Sequence, residues 1–401
     1  MIHAADADVV ILGAGLAGLT LAARLARERS GPRVVLLEPR TAYRDDRSWC
    51  FWRPEQHDLS HLVSRLWKTW TFSDAAGLTV RHQVPGLAYQ YVRGSDFYAS
   101  ARADIAESPR VDLRLGVRAG TVTAVSGGVR VETSSGTLLA RQVIDTRPQA
   151  AEAMLYQSFV GLELERDRPL PFDPGEVTLM GSLASDAEGL RFVYALPLGP
   201  NRAIVEWTRF GTAPINRDLL ILELNQVLTG LGLADARRVR TEGGVLAMGL
   251  RRQAAPPIAG VVHAGNAGGA LRAASGYGFL RIARWAQLCA ERLLAGREAV
   301  GHPKEPRLRR TFDHIFLQAV RAQPERTAEY FLALARGVPP AGLVRFLSDG
   351  ARAEDYARII SSLPWSPFIT QLAAPTVFSP APAAPVAAAV TAMPGTSTSG
   401  Q

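Results

Sequence analysis

The sequence predicts an α/β protein, and three regions of the chain carry that prediction. The first 38 residues contain a Val/Ile-rich run, a glycine turn, an apolar helical run and a second Val/Leu run, which is the pattern of a strand–helix–strand unit. Residues 156–210 are rich in strand patterns that suit an antiparallel sheet, and residues 308–361 show helical periodicity. At 401 residues the chain exceeds the usual span of one core, so two lobes are expected.

The opening unit has the glycine spacing of a dinucleotide site. Gly13, Ala14, Gly15 and Gly18 follow the first predicted strand, and Glu38 ends the second strand 20 residues after Gly18. Gly13 lets the chain turn, Gly15 lets backbone N–H groups reach a pyrophosphate at the helix N-terminus, and Gly18 lets helix and strand pack closely. Because Glu38 would accept the ribose hydroxyls, it favours FAD or NAD(H) over NADP(H).

Two later strand ends are predicted to complete this site. One predicted strand ends at Asp145, and another enters a turn that contains Gly265, Asn266 and Gly268. Ligands of open α/β sheets bind beside the carboxyl ends of the strands, so these residues are predicted to contact the cofactor. Residues 43–52 are aromatic and charged, and the pattern is too irregular for one strand or helix. They are predicted to form a loop near the cofactor.

Composition excludes several classes of protein. The net charge of +8 rests mostly on dispersed arginines, which argues against nucleic-acid binding but suits an anionic membrane surface. Two cysteines give no disulfide framework and indicate a reducing interior. The chain shows no uninterrupted apolar run of spanning length, and its N-terminus lacks the basic region of a signal peptide. We expect a cytoplasmic protein, peripherally associated with the inner face of the membrane.

No metal site is predicted. His57 and His61 have the i, i+4 spacing of a helical zinc site, but no third ligand is evident nearby. Their flanking residues are polar, so the pattern favours an exposed helix face.

Many short motifs, in order between residues 7 and 373, make the chain similar to the FAD-dependent lycopene beta-cyclases of bacterial carotenoid synthesis. Several separate motifs in the right order are far more specific than the glycines alone. Besides the dinucleotide motif they are residues 46–52, 91–98, 143–147, 157–163, 192–198, 205–208, 242–248, 265–269, 275–277 and 343–348. Departures from the family pattern are Trp207, where many members have a second acid, Ala247 in place of a frequent proline, and Thr146 and Pro148 in place of glycines.

This resemblance implies a flavoprotein of the hydroxylase-like fold, with a Rossmann-like FAD-binding domain, an interleaved antiparallel substrate domain and C-terminal helices. The predicted division is FAD-binding residues 1–150 with inserted strands at 78–98, a substrate-binding sheet at 151–250, a return to the FAD domain at 251–300, C-terminal helices at 301–373 and a disordered tail at 374–401. The tail consists largely of Ala, Pro, Ser, Thr and Gly, which offer little to bury.

The resemblance also implies the reaction. An intramolecular lyase, or isomerase, would convert the linear ends of lycopene, or of a related acyclic carotenoid, to β-ionone rings, giving γ- and/or β-carotene. NAD(P)H would reduce the FAD, although the substrate undergoes no net redox change. The family motif places the catalytic acid on Glu206, with Trp207 and Thr208 completing the motif.

Such a cyclisation sets strict demands on the site. Protonating an isolated alkene creates a cation that water would quench, so the site must be dry and hold a neutral acid, which burial favours. Aromatic side chains that could stabilise the cation through their π faces are Trp49, Phe51, Trp52, Tyr194 and Trp207.

Several alternatives stay open in the sequence. Either Glu206 or the reduced flavin could donate the proton, one or both ends of the substrate could close, and the ring could be β or ε. The nearest other enzyme is an FAD-dependent monooxygenase or reductase of an isoprenoid or carotenoid. A flavin or carotenoid carrier is a third interpretation.

Overall fold

The computed structural model describes residues 5–149, 152–250 and 257–373. The tail at 374–401, for which disorder was predicted, lies outside the described residues. Among the described residues the strands are β1 (Ala7–Leu12), β2 (Val34–Glu38), β3 (Ser48–Arg53), β4 (Val63–Trp67), β5 (Thr69–Asp74), β6 (Thr79–Gln83), β7 (Ala88–Arg93), β8 (Val111–Leu115), β9 (Ala119–Val125), β10 (Gly128–Thr133), β11 (Gly136–Asp145), β12 (Ala153–Glu165), β13 (Glu176–Asp186), β14 (Gly189–Gly199), β15 (Arg202–Gly211), β16 (Arg237–Leu250) and β17 (Val261–His263). The helices are α1 (Leu16–Ala26), α2 (Gly94–Ala106), α3 (Arg217–Gly230), α4 (Phe279–Leu294), α5 (Arg307–Ala322), α6 (Thr327–Gly337), α7 (Pro340–Leu347), α8 (Ala353–Ser362) and α9 (Trp365–Ala373).

The first sheet confirms the α/β start of the fold. Its strand order is β8-β2-β1-β11-β10-β9, and β17 pairs with the end of β11. Neighbouring strands in the series β8, β2, β1 and β11 are parallel, and β17 is parallel to β11. Strand β10 is antiparallel to both of its neighbours, β11 and β9. One face packs against α1, α2 and α4. The apolar run of β1 suits a central strand that is buried on both faces.

The second sheet has the order β16-β12-β15-β14-β13-β5-β6 and is antiparallel except between β13 and β5. Successive side chains of a strand point to opposite faces. On β15, Ala203, Val205 and Trp207 therefore pack in a core with α3. Ile204 and Phe210 belong to a different core, which includes the C-terminal helices α5 to α8.

A third, small sheet corrects the prediction of a loop at residues 43–52. Ser48–Arg53 forms β3, which pairs with β7, and β4 lies on the other side of β7. Phe51 and Trp52 are both buried although they are neighbours. The strand was missed because both of its faces carry large aromatic side chains, which hides the apolar alternation.

The prediction of an exposed helix face at His57 is also wrong. The segment after β3 contains turns and a 3-10 turn at Ser60–Leu62, not an α-helix. The His57 side chain is only 7% exposed, and its Nε2 lies 2.6 Å from Oε1 of Gln90. Within the described residues no group of His, Cys, Asp or Glu side chains could hold a metal ion, and no helix is both long and apolar enough to cross a bilayer.

Candidate active site

A cavity of about 3900 Å³ extends from the glycine turn after β1 to the C-terminal helices. Pockets that hold one small ligand are typically about 300–1,000 Å³, so this cavity has room for more than one ligand. The first sheet forms one end, the second sheet forms a wall in the middle, and α5 to α9 form the other end.

The glycine turn forms the first end of the cavity. A Cβ added at Gly15 would meet nothing within 4 Å, whereas a Cβ at Gly18 would lie 2.1 Å from the carbonyl oxygen of Gly13. Gly15 therefore leaves space at the N-terminus of α1, which has no side-chain cap and no acid in its first turn. Gly18 instead allows the helix to pack on the turn. The open space at Gly15 is what the predicted approach to a pyrophosphate requires, and that approach stays a prediction.

Glu38 lies beside this turn at the end of β2. Its carboxylate accepts hydrogen bonds of 2.8 Å from the Ala14 N–H and from Nε of Arg40, and the residue is 4% exposed. Tyr43 donates to the Ala14 carbonyl at 2.9 Å. The Arg40 N–H at 3.1 Å and its Nη2 at 3.3 Å also donate to the carboxylate, so that these contacts hold it at the cavity wall.

The predicted cofactor residues divide into two groups. Five of them line the cavity: Gly13, Gly15, Glu38, Gly265 and Asn266. Four lie behind that surface and support it: Ala14, Gly18, Asp145 and Gly268.

Asp145 and Gly268 act on neighbouring groups. The Asp145 carboxylate accepts hydrogen bonds from the backbone N–H and the guanidinium of Arg147, and Arg147 lines the cavity. Gly268 packs so closely that an added Cβ would lie 2.4 Å from Cα of Ala264. The structure therefore does not bring the Asp145 carboxylate to the cavity as the sequence predicted, because Arg147 covers it.

Glu206 lines the middle of the cavity from β15. Thr208 lies two residues later on the same face of the strand, and its hydroxyl donates to Oε1 of Glu206 at 2.7 Å. Burial raises the pKa of Glu206, the Glu242 carboxylate adds to that rise, and the Thr208 hydrogen bond opposes both effects, so that the pKa is about 8. Glu206 thus holds a proton near neutral pH.

Trp207 does not reach this cavity, which corrects its assignment to the catalytic group. Its side chain points to the opposite face of β15, packs in the core beneath α3, and donates from Nε1 to Glu223 at 2.8 Å. The reason is the two-residue period of a strand, which separates Trp207 from both Glu206 and Thr208.

A second acid, Glu242 of β16, faces the same cavity. Gly161 of the central strand β12 pairs with Glu206 on one side and with Glu242 on the other. A Cβ at Gly161 would lie 3.4 Å from Cβ of Glu206 and 3.2 Å from Cγ of Glu242. Because Gly161 has no side chain, the side chains of both acids can extend over β12. Sequence reasoning assigned no role to Glu242, because nothing in one sequence reveals the register that aligns these three residues.

Glu242 ends a chain of buried charges. Nη1 of Arg240 donates to Glu242 at 2.9 Å, and Nε of Arg240 donates to Glu163 at 2.5 Å. Glu163 also accepts from Arg202 and Arg93, and its side chain is fully buried. The pKa of Glu242 is raised, because the effect of burial exceeds the opposing charge and hydrogen bonds of Arg240.

Of the five aromatic residues proposed to stabilise a cation, three line the cavity, namely Trp49, Trp52 and Tyr194. Phe51 stacks on Phe279 with ring centroids 5.1 Å apart and is not part of the lining. The Tyr194 hydroxyl lies 3.0 Å from that of Tyr89.

The far end of the cavity is lined mostly by apolar side chains of α5 to α9, including Phe316, Phe331 and Leu343. Ile360, Trp365 and Ile369 also line it, yet they are 51%, 65% and 53% exposed. The cavity therefore reaches the protein surface through an apolar rim, which we define as these last three residues.

Sequence comparisons point to one family. A family model described as lycopene cyclase protein matches residues 8–373. A lycopene beta-cyclase of Paracoccus sp. (strain N81106 / MBIC 01143) is 26% identical over 298 residues, which cover 71% of this chain and 73% of that protein. A lycopene beta-cyclase of Pantoea ananas is 26% identical over 211 residues, which cover 51% of this chain and 52% of that protein.

Comparison with solved structures identifies the fold. A geranylgeranyl bacteriochlorophyll reductase-like protein from Thermoplasma acidophilum superposes with a TM-score of 0.58 at 15% identity, covering 91% of this chain and 98% of that chain. A flavin-dependent brominase superposes with a TM-score of 0.59 at 15% identity, covering 88% and 98%. The predicted flavoprotein fold is therefore confirmed.

Proposed function

Because the chain belongs to the lycopene cyclase family, we propose that it closes the linear ends of lycopene, or of a related acyclic carotenoid, into β-ionone rings. The products are γ- and/or β-carotene. The observation that carries the proposal is the placement of Glu206, a carboxyl that holds its proton near neutral pH in the wall of a large, mainly apolar cavity. The class of enzyme is an intramolecular lyase, or isomerase, because the substrate formula does not change.

Glu206 is the proposed acid. Its proton passes to the terminal alkene, the neighbouring double bond attacks the resulting cation, and the ring closes. Thr208 holds the carboxyl in position, and Trp49, Trp52 and Tyr194 present aromatic rings toward the cation. Apolar walls keep out water, which would trap the cation as an alcohol.

The residues at the first end of the cavity fit FAD. The open space at Gly15, the uncapped N-terminus of α1 and the Glu38 carboxylate suit a pyrophosphate and a ribose with a free 2′-hydroxyl. The flavin dependence named for the brominase of the same fold supports this assignment. When bound and reduced by NAD(P)H, FAD would supply an electron-rich ring system that stabilises positive charge in the neighbouring substrate.

We also propose that the protein works at the inner face of the membrane, where a carotenoid hydrocarbon is dissolved. The apolar rim at the open end of the cavity supports this proposal, because hydrocarbon could enter from lipid without crossing water. The net charge of +8 would favour an anionic lipid surface.

The test is expression of the chain in a host that accumulates lycopene, followed by mass and retention analysis of its carotenoids. Cyclisation leaves the mass unchanged and shifts the retention time toward β- or γ-carotene standards. The alternative enzymes give other masses, since a reductase adds hydrogen and a monooxygenase adds oxygen. The fold shared with a reductase-like protein makes that comparison necessary. Unchanged lycopene in a host that makes folded, FAD-loaded protein would rule out the cyclase.

A further inference from the structure

Glu242 does not donate the proton, although it faces Glu206 across Gly161. We propose that Glu242 is the base that removes the ring proton, and that Arg240 keeps Glu242 ionised for that step. This assignment rests on the cyclase function proposed above. It gives the two halves of an acid–base reaction to two different carboxyls of one cavity wall.

The sheet geometry supports the pairing. Neighbouring strands lie about 4.8 Å apart, so the backbones of β15 and β16 are separated by roughly 10 Å, with β12 between them. The absence of a side chain at Gly161 lets both acidic side chains approach over the central strand. A cyclising end group held against this wall would contact Glu206 with one carbon and Glu242 with another.

The surroundings of the two carboxyls differ in charge. The groups around Glu242 are Arg240 on its own strand, Ser48 on β3 and, at longer range, Arg47, and the two arginines favour the carboxylate. Within the described part of the chain, no cation is among the groups that shift the pKa of Glu206; the groups near it are Thr208, the Glu242 carboxylate and Cys50, whose pKa burial raises to about 12. Burial raises the pKa of both carboxyls, but arginines oppose that rise only at Glu242. When one of the two carboxyls ionises, the negative charge therefore belongs on Glu242 and the proton stays on Glu206.

Arg240 is a positioning residue in this scheme. Its Nη2 donates to Ser48 at 2.8 Å and to the Tyr91 hydroxyl at 3.2 Å, while Glu163 holds its Nε. These contacts fix the guanidinium so that Nη1 points at Glu242. A tertiary carbocation is a strong acid, so even a carboxylate in an ion pair is basic enough to deprotonate it.

The proposed cycle balances. The O–H bond of Glu206 breaks, and a C–H bond forms at the alkene. The electron pair of the next double bond then closes the ring. A ring C–H bond breaks, its proton goes to Glu242, and its electron pair becomes the ring double bond. One proton has moved from Glu206 to Glu242, and its return across Gly161 restores both groups without a co-reactant.

The rate of cyclisation tests the base. Full-length, reduced, FAD-loaded protein would be supplied with lycopene in phospholipid vesicles. Glu242→Gln should lower the rate on the order of 100-fold or more while FAD content and melting temperature stay near those of the parent. Residual product should show a larger share of rings with the double bond elsewhere, or hydroxylated rings. The matched control is Glu165→Gln, which disrupts the exposed ion pair between Glu165 of β12 and Arg237 of β16 and should leave the rate unchanged.

The pH dependence separates a chemical role from a structural one. A parental bell-shaped profile should have its acid limb set by Glu242 and its alkaline limb by Glu206. Arg240→Lys should move the acid limb to higher pH, since lysine lacks the fixed fork of arginine. Glu242→Gln should move the alkaline limb to lower pH, because Glu206 then no longer faces a negative charge.

A spectroscopic measurement does not require activity. Infrared spectra of the resting protein at pH 7 should contain the C=O stretch of a protonated carboxyl. Difference spectra between the parent and each variant should show that Glu206→Gln removes this band and that Glu242→Gln keeps it. Loss of that band in Glu242→Gln instead, or a Glu242→Gln rate within threefold of the parent, would overturn the assignment. If the parent forms no cyclic carotenoid at all, the proposed function fails first and this assignment fails with it.

Discussion

At the scale of single residues, the site depends on a carboxyl that is kept neutral by its surroundings. Glu206 has a hydroxyl partner and an acidic neighbour, but among residues 5–149, 152–250 and 257–373 no cation shifts its pKa. A protein normally avoids such an arrangement, because an ionisable group without an opposite charge is costly to bury. The position of this carboxyl in a cavity wall therefore favours a catalytic role.

We predict that Glu206→Gln keeps the fold and FAD but loses cyclase activity. Glutamine retains the size and hydrogen-bonding capacity of the side chain and removes the transferable proton, so the rate should fall about 100- to 10,000-fold. Product formation by reduced, FAD-loaded protein is the measurement. A rate near that of the parent would exclude Glu206 as the acid and leave the reduced flavin as the proton donor.

We also predict that Glu206→Gln stabilises the protein at neutral pH. In the unfolded chain Glu206 ionises above a pKa of about 4.3, whereas in the folded protein it keeps its proton up to a pKa of about 8. The free energy of unfolding therefore falls as pH rises between these values, and the variant avoids that fall. The gain should be near zero at pH 4 and reach at most about 5 kcal/mol at pH 8. Urea unfolding at several pH values measures it, and a gain independent of pH would contradict the prediction.

Sequence reasoning could identify residues whose role depends on local spacing. Gly13, Gly15 and Glu38 belong to one strand–helix–strand unit, and the structure places all three at the cavity. It could not separate Trp207 from Glu206, because the direction of each side chain depends on which face of β15 is covered by α3. The family motif named both residues, whereas the strand period places only one of them at the cavity.

At the scale of elements, strand register decides what the sequence could not show. Glu242 and Glu206 are 36 positions apart in the chain and are brought together by the pairing of β16 and β15 with β12. Strand β3 was missed for a related reason, since its pairing with β7 buries aromatic side chains on both faces. The parallel strands and the C-terminal helices were predictable, because their periodicity is local.

The turn between β1 and α1 allows a sharp test of cofactor binding. Gly15→Val should abolish FAD binding, because the added side chain would occupy the open space at the helix N-terminus. The fold should remain, since the backbone at Gly15 is extended and no atom lies within 4 Å of the added Cβ. Gly199→Val is the matched control, as Gly199 also has free space around it but lies on β14. Flavin absorbance retained by folded Gly15→Val protein would refute the assignment.

At the scale of the whole molecule, the first and second sheets and the C-terminal helices contribute to one cavity. The sequence predicted the sheets and helices but not that they enclose a shared space, because the enclosure depends on contacts between segments far apart in the chain. Helix α5, for example, contacts β12 and β16.

The apolar rim at the open end of this cavity predicts which residues bind a lipid surface. Trp365→Ser with Ile369→Ser should lower binding to anionic vesicles severalfold, because the apolar rim loses two exposed side chains. Leu219→Ser with Leu222→Ser is the control, since these leucines are 43% and 56% exposed on α3. Sedimentation with vesicles at low and high salt measures the bound fraction. Equal binding by both double variants would show that the rim is not the lipid contact.

The placement of Glu206 at a single point along the cavity wall has a kinetic consequence. Lycopene has two equivalent ends, but each chain has one Glu206, so on the proposed reaction the two rings form in successive turnovers. Between the two turnovers, the monocyclic carotenoid must leave the cavity and enter it again with its other end. The ratio of monocyclic to bicyclic carotenoid at early times therefore measures a competition between escape into the bilayer and re-entry into the same protein. A higher ratio of lipid to protein should shift that competition toward the monocyclic product, without any change in the chemistry of the site.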